Sequence, residues 1–276
     1  MTNGSTLAPG LEVLALTTPT LPPATATNTL VVGQQRLLVI EPATPFAEQQ
    51  ATLWAYLEQR RAKGAEVAGI AITHHHVDHI GYAHKLRQQL GVPLYAHAET
   101  ASRVDFPIDH LLEDGDEVEL DAHHRVRAVF TPGHAPGHLV FVDLPTGTAH
   151  AGDLVAGIGT ILIDPDDAGD MRHYLASLER LRQLDLRALV PAHGPVIEQP
   201  DSCLRHFIAH RLLREQRVIR ALERGARDLS STLADCYSDT PQALRPLAMR
   251  SLRAHLDKLE FEHRIARTGD RVKWLG

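Results

Sequence analysis

Apolar residues in the first two hundred positions follow two alternating patterns. Short aliphatic runs such as RLLVI (36–40), VAGIAIT (67–73) and RALV (187–190) have the length of buried strands. Segments with apolar residues three or four positions apart lie between them and predict amphipathic helices. The clearest is DMRHYLASLERLRQL (170–184), in which Tyr174 and Leu178 fall on one face. Strands and helices therefore mix along the chain, which predicts an α+β fold.

Turn and cap residues suggest where several of these elements begin and end. Thr44 and Pro45 predict a helix start, with threonine as the cap and proline in the first turn. Phe46 then joins the apolar face of that helix, and Gly64 ends it. Between HLVFVDL and TAHAGD, the turn at 145–147 (PTG) predicts a β-hairpin.

The pattern changes after Pro200. A long helical segment (CLRHFIAHRLLREQRVIRALERG) precedes a shorter one capped by Asp228, and a third starts near Pro246. Alternating residues around Gly269 and Asp270 then predict a small hairpin. Three helices and a terminal hairpin are typical of a winged-helix module. We therefore expect two domains, 1–200 and 201–276.

Composition supports this division. The 276 residues are 43% apolar, which provides for a full core and argues against disorder. The net charge of −6 argues against a generally basic nucleic-acid binder, but the charge is unevenly distributed. From Cys203 onward there are 15 Lys/Arg against 9 Asp/Glu, whereas the rest has 13 against 25. A basic C-terminal part and an acidic remainder suggest two functional parts.

Few other features point to a particular compartment or cofactor. The only cysteines, Cys203 and Cys236, are too few for a disulfide framework or a thiolate zinc site. No basic residue precedes Arg36, which argues against a signal peptide, and no apolar run has the length of a membrane span. We expect a soluble, cytoplasmic protein.

The stretch ITHHHVDHIGY (72–82) follows a predicted buried strand directly and carries most of the candidate chemistry. In an extended loop, residues two apart point the same way, so His74 and His76 can converge on one metal while His75 points away. Asp78 and His79 fall at the entrance of the next helix, where they can face a neighbouring metal. Neutral imidazoles and carboxylates are suitable ligands for zinc, iron or manganese.

Three more candidate ligands also follow predicted strands. They are His134 in TPGHAPGH, Asp153 in HAGDL and His193 in PAHGP. Glycines and prolines beside them fit tight loops at one sheet edge, and the seven candidates together suffice for two metal ions. Of the other histidines, His138 at the end of TPGHAPGH is expected to be structural, and His255 is expected to be a surface residue.

The motifs THHHVDH, TPGHAPGH, AGD and PAHGP, in this order over residues 10–200, resemble those of the metallo-β-lactamase superfamily. The resemblance implies an αββα sandwich with a site at one edge, between two sheets. It also implies two zinc ions per chain, with iron or manganese as alternatives. Carried over by motif, His74, His76 and His134 bind one metal, Asp78, His79 and His193 bind the other, and Asp153 bridges them.

The whole chain also resembles the beta-lactamase-like protein 2 group, whose members carry a winged-helix-like C-terminal domain. This group includes an endoribonuclease that acts on single-stranded RNA. The family often has Gly-Gly after the histidine motif, whereas this chain has Gly81-Tyr82. We expect Tyr82 to reshape the mouth of the site and so to influence the choice of substrate.

The implied mechanism is hydrolytic. Two neighbouring metals lower the pKa of a shared water, and the resulting hydroxide is the expected nucleophile. Asp78 is expected to orient this hydroxide or to assist proton transfer. Several branches of the superfamily are excluded. B1 β-lactamases use a cysteine ligand, flavodiiron proteins have glutamate where His76 stands, and β-CASP nucleases need more than the 39 residues between Asp153 and His193.

Three functions remain open from the sequence. The first is a metal-dependent endoribonuclease whose basic C-terminal module helps to hold single-stranded RNA through its phosphates. The second is a thioester or lactone hydrolase of the glyoxalase II-like type, in which the module covers the site or mediates a homodimer. The third is a nucleic-acid-binding regulator with an incidental metal site, which the complete ligand set disfavours. The first is the sequence-based prediction.

Overall fold

The computed structural model describes residues 4–276. Its strands are β1 (Gly4–Ala8), β2 (Leu11–Thr17), β3 (Ala26–Val32), β4 (Arg36–Ile40), β5 (Glu66–Ala71), β6 (Leu94–Ala96), β7 (His110–Leu111), β8 (Glu117–Asp121), β9 (His124–Phe130), β10 (Leu139–Asp143), β11 (Thr148–Gly152), β12 (Ala188–Pro191), β13 (Ile265–Thr268) and β14 (Arg271–Trp274). Its helices are α1 (Ala47–Ala62), α2 (Val77–Ile80), α3 (Ala83–Leu90), α4 (Ala98–Ala101), α5 (Met171–Arg182), α6 (Pro200–Glu223), α7 (Leu229–Cys236) and α8 (Arg245–Phe261). Short 3-10 helices occupy Pro165–Asp167 and Gln242–Leu244.

The chain forms two compact units. The first holds the described residues up to Thr131, Gly137–Ile161 and Arg182–Cys203; the second holds Pro132–Pro136, Leu162–Leu181 and Leu204–Gly276. The division into 1–200 and 201–276 stays a prediction. In the structure, two segments that precede residue 200 belong to the same unit as the C-terminal residues.

Two sheets form the framework of the first unit. One has seven strands in the order β1-β2-β3-β4-β5-β6-β7, antiparallel up to β4 and parallel from β4 to β7. The other has five strands in the order β12-β11-β10-β9-β8, of which only β11 and β12 are parallel. The predicted hairpin at 145–147 therefore joins β10 and β11.

Alternation along the strands divides the apolar residues between two cores. Leu30 and Leu38 of the seven-stranded sheet share one core with Phe141 of the five-stranded sheet, so the two sheets pack face to face. Val31 and Val39, which point the opposite way, pack with residues of α1 and α3 such as Leu53. The first unit is therefore a sheet-on-sheet sandwich with helices on its seven-stranded side.

Helix α1 begins later than the sequence predicts. Thr44 is buried, and its hydroxyl accepts the N–H of Phe46 at 3.2 Å, so it closes a turn before the helix instead of capping it. Backbone bonds from Gly81 and Tyr82 to the carbonyls of Ala43 and Pro42 keep this segment extended. Phe46 is the N-cap residue and is 46% exposed, outside the apolar face.

Tyr82 does not lie at a site mouth, so that expectation was wrong. Its side chain is buried in the core that includes Leu53 and Leu86, and its hydroxyl donates to Gln89 Oε1 at 2.7 Å. Burial raises the pKa of this phenol. Because Tyr82 and Leu86 are four residues apart, they share one helix face, and that face is directed into the core.

The second unit contains the predicted helices and terminal hairpin. Asp228 caps α7 through a reciprocal capping box with Ser231, and β13 pairs with β14 around Gly269. His255, predicted as a surface residue, is fully buried on α8, and this burial lowers the pKa of its ring. Glu215 Oε2 lies 3.6 Å from its Nδ1, and the carboxylate opposes part of the effect of burial. Within residues 4–276, no helix combines the length and the hydropathy needed to cross a bilayer.

Two substitutions at Tyr82 test its structural assignment. Tyr82→Phe removes one hydrogen bond and is expected to lower the free energy of unfolding by about 1 kcal/mol. Tyr82→Gly, which restores the family residue, empties a core position and is expected to cost about 3–5 kcal/mol. Denaturant unfolding curves measure both values. A Tyr82→Phe variant with unchanged stability but altered metal binding would contradict a purely structural role.

Candidate metal centre

The candidate ligands of the first unit lie where strands end. The loop carrying His74 and His76 follows β5, Asp153 follows β11 and His193 follows β12. β11 and β12 are parallel, so their carboxyl ends lie at one edge of the five-stranded sheet. The loop after β5 comes from the seven-stranded sheet, which packs against it. Gly152 is required where the end of β11 meets the loop after β5, because a Cβ there would lie 2.8 Å from Thr73 Oγ1 and 2.5 Å from His138 Nε2.

Two carboxylates and two imidazoles converge in the first unit. His79 Nε2 lies 3.7 Å from Asp78 Oδ1 and 3.7 Å from Asp153 Oδ2. His193 Nε2 lies 3.5 Å from Asp78 Oδ2 and 3.5 Å from Asp153 Oδ1. Each ring nitrogen thus faces both carboxylates at more than hydrogen-bond distance.

These separations fit a cation between the four groups. Ligands of a tetrahedral zinc, each 2.0–2.2 Å from the ion, are about 3.4 Å from one another. Nε2 of His79 is buried and makes no hydrogen bond within residues 4–276, although a buried nitrogen ordinarily has a partner. Imidazoles and carboxylates are also the donors that zinc accepts. The residues present therefore fit a metal ion.

His74 and His76 form the neighbouring part of the cluster. Nε2 of His74 and Nδ1 of His76 are 2.9 Å apart, and His74 Nδ1 makes a hydrogen bond with Thr73 Oγ1 at 2.9 Å. A donor atom of His74 also lies within 4.8 Å of donors from His79 and Asp153. Asp153 therefore faces both His74 and the His79 side, as a bridging ligand must.

His134 belongs to the second unit. Its loop, Pro132–Pro136, connects β9 to β10, and the residue is 7% exposed. The His134 ring donates from Nδ1 to the carbonyl oxygen of Leu162 at 2.8 Å, which fixes the orientation of the ring. Its place beside His74 and His76 stays the prediction that the motif supplies.

Glu41 is a buried residue of the site that sequence reasoning missed. One oxygen of its carboxylate accepts the Thr73 N–H at 2.6 Å, and the other is bonded to Nδ1 of His79. This second bond orients the ring so that Nε2 faces Asp78 and Asp153, as partners of metal-bound histidines do. The sequence contained a signal: like the predicted ligands, Glu41 follows a buried strand, β4, which is parallel to β5.

The charge of this cluster affects His79 directly. Burial lowers the pKa of the His79 ring, but the carboxylates of Glu41 and Asp153 together outweigh burial and hold it well above the usual value. The loops around the cluster contain no lysine or arginine over 41–46, 72–82, 151–163 or 191–199. A proton on His79 would offset part of the negative charge, and a metal cation can replace that proton.

Other buried polar residues position the ligand loops. His138 accepts the Asp153 N–H on Nε2 at 3.1 Å, and its Nδ1 is bonded to Thr131 Oγ1 at 2.8 Å. Asn28 donates from Nδ2 to the carbonyls of Pro191 and Gly194, both at 2.8 Å. These bonds fix the backbone beside Asp153 and on both sides of His193.

The ring of His193 has a fixed orientation as well. Its Nδ1 donates to the carbonyl oxygen of Ala26 at 2.9 Å, so Nε2 is the nitrogen available to the cluster. Thr20 Oγ1 lies 3.3 Å from this Nε2. His79 and His193 therefore both present Nε2 to the two carboxylates, each held by a partner on Nδ1.

Known families match most of this chain. A model of the metallo-beta-lactamase superfamily matches residues 22–193, and one of the beta-lactamase associated winged helix domain matches residues 234–274. The "Beta-lactamase-like protein 2 homolog" of Drosophila melanogaster is 30% identical over 260 residues, covering 87% of this chain and 84% of the relative. The resemblance inferred from the motifs is thereby confirmed.

Two further comparisons bear on fold and chemistry. The "Atrochrysone carboxyl ACP thioesterase" of Aspergillus fumigatus is 29% identical over 221 residues, 79% of this chain and 66% of that protein. The crystal structure of a metallo-beta-lactamase family protein from Thermus thermophilus aligns with a TM-score of 0.80 and 23% identity, covering 98% and 100% of the chains. The predicted fold class, a metallo-β-lactamase sandwich followed by a winged-helix domain, is confirmed. The chain belongs to the metallo-β-lactamase superfamily and is a hydrolase of that superfamily.

Proposed function

We propose that the chain is a hydrolase that binds two zinc ions and cleaves a carboxylic ester or thioester. The observation that carries this proposal is the chemistry of the loops bordering the cluster, which are uncharged or acidic and expose aliphatic side chains. This reverses the order of the sequence-based predictions, in which cleavage of single-stranded RNA came first.

The proposed ligand sets follow the predicted division. His74, His76 and His134 hold one ion, Asp78, His79 and His193 hold the other, and Asp153 lies between them. When bound, two such ions activate a water and polarise the oxygen of the bond under attack. The residues supply the rest: Glu41, Ala26 and Thr73 orient the imidazoles, and burial keeps competing water away from them.

Asp78 is placed to handle a proton. Its side chain is 16% exposed, against 0% for His79, so it is the part of this group that substrate and solvent can reach. Its backbone carbonyl accepts the Thr27 hydroxyl at 2.8 Å, which fixes the start of α2. A carboxylate held there can accept a proton from the attacking water and pass it to the leaving group.

Exposed aliphatic side chains occur on three segments that border the cluster. Leu21 is 56% exposed, Val77 69% and Ile158 42%. Val77 is next to Asp78 in the chain, Thr20 beside Leu21 contacts His193, and Gly157 donates its N–H to the His193 carbonyl at 2.7 Å. Such side chains favour an acyl group over the phosphates of RNA, which bind cationic residues. A relative that is named a thioesterase supports the same chemistry.

The basic C-terminal part gives less support to RNA binding than its charge suggests. Many of its cations already form ion pairs with carboxylates of the second unit: Arg214, Arg217, Arg224, Arg250, Arg253, Lys258 and Arg267. RNA cleavage stays the second candidate because four exposed cations of this part make neither an ion pair nor a side-chain hydrogen bond within the described residues: Arg220, Arg245, Arg271 and Lys273. These are the residues that RNA phosphates would contact.

The substrate class is tested with the zinc-loaded full chain. We expect turnover of acyl thioesters and aryl esters that falls at least about 100-fold in Asp78→Ala, because that variant loses a ligand and a proton acceptor. Val77→Lys should raise KM for acyl substrates of increasing chain length. Steady-state kinetics measure both effects, and Glu48→Gln, an exposed change on α1, is the control.

A labelled single-stranded RNA is incubated in parallel. RNA cleavage that Asp78→Ala abolishes, without any ester or thioester turnover, would replace this proposal with the second candidate. The quadruple variant Arg220→Ala/Arg245→Ala/Arg271→Ala/Lys273→Ala should then weaken RNA binding and reduce its salt dependence.

Glu41→Gln tests the charge of the cluster. The amide keeps the size of the side chain but removes the carboxylate that raises the pKa of His79, and we expect zinc affinity to fall about 10- to 100-fold. Zinc must displace the His79 proton, so affinity weakens as the pH falls through the pKa of this ring. In Glu41→Gln that pKa is lower, and the loss should begin at a lower pH.

Competition with a chromophoric chelator over a range of pH measures these affinities. Glu48→Gln again serves as the matched control and should behave like the wild type. Equal zinc affinity and equal pH dependence in Glu41→Gln and the wild type would show that Glu41 does not act on the metal site.

A further inference from the structure

The loop carrying His134 has an unexpected structural environment. Its neighbours in sequence, β9 and β10, belong to the first unit, but Pro132–Pro136 groups with Leu162–Leu181 and Leu204–Gly276. The C-terminal residues are thus part of the same compact body as one predicted metal ligand. None of the sequence-based roles for the C-terminal module, in RNA binding, covering or dimerisation, accounts for this grouping.

The loop is bonded directly to the segment that contains α5. His134 Nδ1 donates to the Leu162 carbonyl at 2.8 Å, Asp170 N–H donates to the Gly133 carbonyl at 2.8 Å, and Ser177 Oγ donates to the Pro132 carbonyl at 2.7 Å. Three successive residues of the loop are therefore held by one segment.

Gly133 also brings the loop into close backbone contact with α5. Its φ is +134°, and a Cβ at this position would lie 2.2 Å from the backbone nitrogen of Tyr174. Only glycine fits there, because the angle is strained for other residues and the obstructing atoms belong to a helix backbone. The position of the loop consequently follows the position of α5.

The same segment is joined to the C-terminal helices by charged and aromatic contacts. Arg250 pairs with Asp164 at 2.9 Å, and Arg253 pairs with Asp166 at 2.6 Å. These arginines are three residues apart on one face of α8, and the two aspartates flank Pro165.

Two arginines stacked on aromatic rings add to this attachment. The guanidinium of Arg172 lies 3.7 Å from the ring centroid of Phe261, and that of Arg211 lies 5.3 Å from the ring centroid of Tyr174. Arg211 is 3% exposed, although an arginine on a long helix is ordinarily expected on a solvated face. It places a buried cation on α6 against the residue that Gly133 approaches.

We propose that the C-terminal module positions the metal ligand His134, with α6 and α8 holding residues 162–177 and that segment holding the 132–136 loop. Arg250 and Arg253 are positioning residues in this chain of contacts. The inference rests on the proposed function, since it takes His134 as a zinc ligand. A ligand loop held less firmly binds its ion more weakly, because ordering it then opposes binding.

Charge reversal on α8 tests the inference without touching the metal cluster. In Arg250→Asp/Arg253→Asp, like charges face Asp164 and Asp166, and residues 162–177 should be displaced. We expect one of two zinc ions to bind at least about 10-fold more weakly, and it should be the ion that His134→Ala loses. Zinc affinity by chelator competition and the absorption spectrum of the cobalt-substituted protein report which ion is affected.

Hydrogen exchange supplies a readout that does not depend on metal. Peptides covering residues 132–138 and 162–174 should exchange faster in the metal-free double variant than in the wild type, because the Asp170 N–H loses its fixed acceptor. Circular dichroism and the thermal midpoint confirm that the variant is folded.

Two matched variants separate this role from general stability. Arg224→Glu breaks an ion pair with Asp235 in the same module without contacting residues 162–177, and it should leave both readouts unchanged. Arg253→Asp/Asp166→Arg exchanges the charges of one pair and should also behave like the wild type. If Arg250→Asp/Arg253→Asp does not fold but Arg253→Asp/Asp166→Arg behaves like the wild type, the result still supports the ion pair between α8 and residue 166.

The outcomes distinguish this inference from the proposed function. A folded double variant with wild-type exchange at 132–138 overturns the inference, and wild-type affinity for both zinc ions does so as well. If the wild type binds zinc in that case, the proposed function is unaffected. If the wild type binds no zinc, the proposed function fails, and the exchange data alone decide whether α8 supports the loop.

Discussion

The burial of several ionisable side chains at strand ends of two packed sheets is the constraint on which the rest of the site depends. Glu41, Asp78 and Asp153 bring three carboxylates into a region where the surrounding loops offer no lysine or arginine. Burying charge without a partner is costly, and it is tolerated when a cation compensates it. The raised pKa of His79 shows that the cluster already favours a proton there. A divalent ion compensates more negative charge than one proton does. It can also bind His79 Nε2, which makes no hydrogen bond within the described residues.

The sequence was informative wherever a ligand occurred within a motif. Each of the loops carrying His74, Asp153 and His193 follows a strand and includes glycine, proline or several potential ligands, so their convergence could be inferred from strand ends alone. Glu41 is followed by Pro42 but has no second potential ligand beside it. Its part in the site was apparent only from the parallel pairing of β4 and β5. The expectation for Tyr82 rested on its difference from the Gly-Gly that the family often has. Its spacing of four residues from Leu86 instead indicated a core position.

In the C-terminal part, charge and hydrophobic periodicity predict the secondary structure but not the tertiary contacts. Both predict the helices, the Asp228 cap and the hairpin, because these depend on local sequence. They do not predict that Arg250 and Arg253 pair with aspartates almost ninety residues away in sequence, or that Arg211 and His255 are buried. Such pairings depend on tertiary contacts. Many of the excess basic residues, which suggested RNA binding, are therefore paired with carboxylates of the same unit. The same contacts connect the C-terminal helices to the loop of a predicted metal ligand.

Anomalous diffraction at the zinc absorption edge, from crystals grown with zinc, tests the central claim most directly. The account predicts two peaks, one enclosed by Asp78, His79 and His193 and one beside His74 and His76, with Asp153 reaching both. Weaker occupancy at the second peak is compatible with the account, because its third ligand lies on a separately supported loop. The absence of any peak within the cluster, with zinc found only on exposed histidines such as His123 or His206, would contradict it.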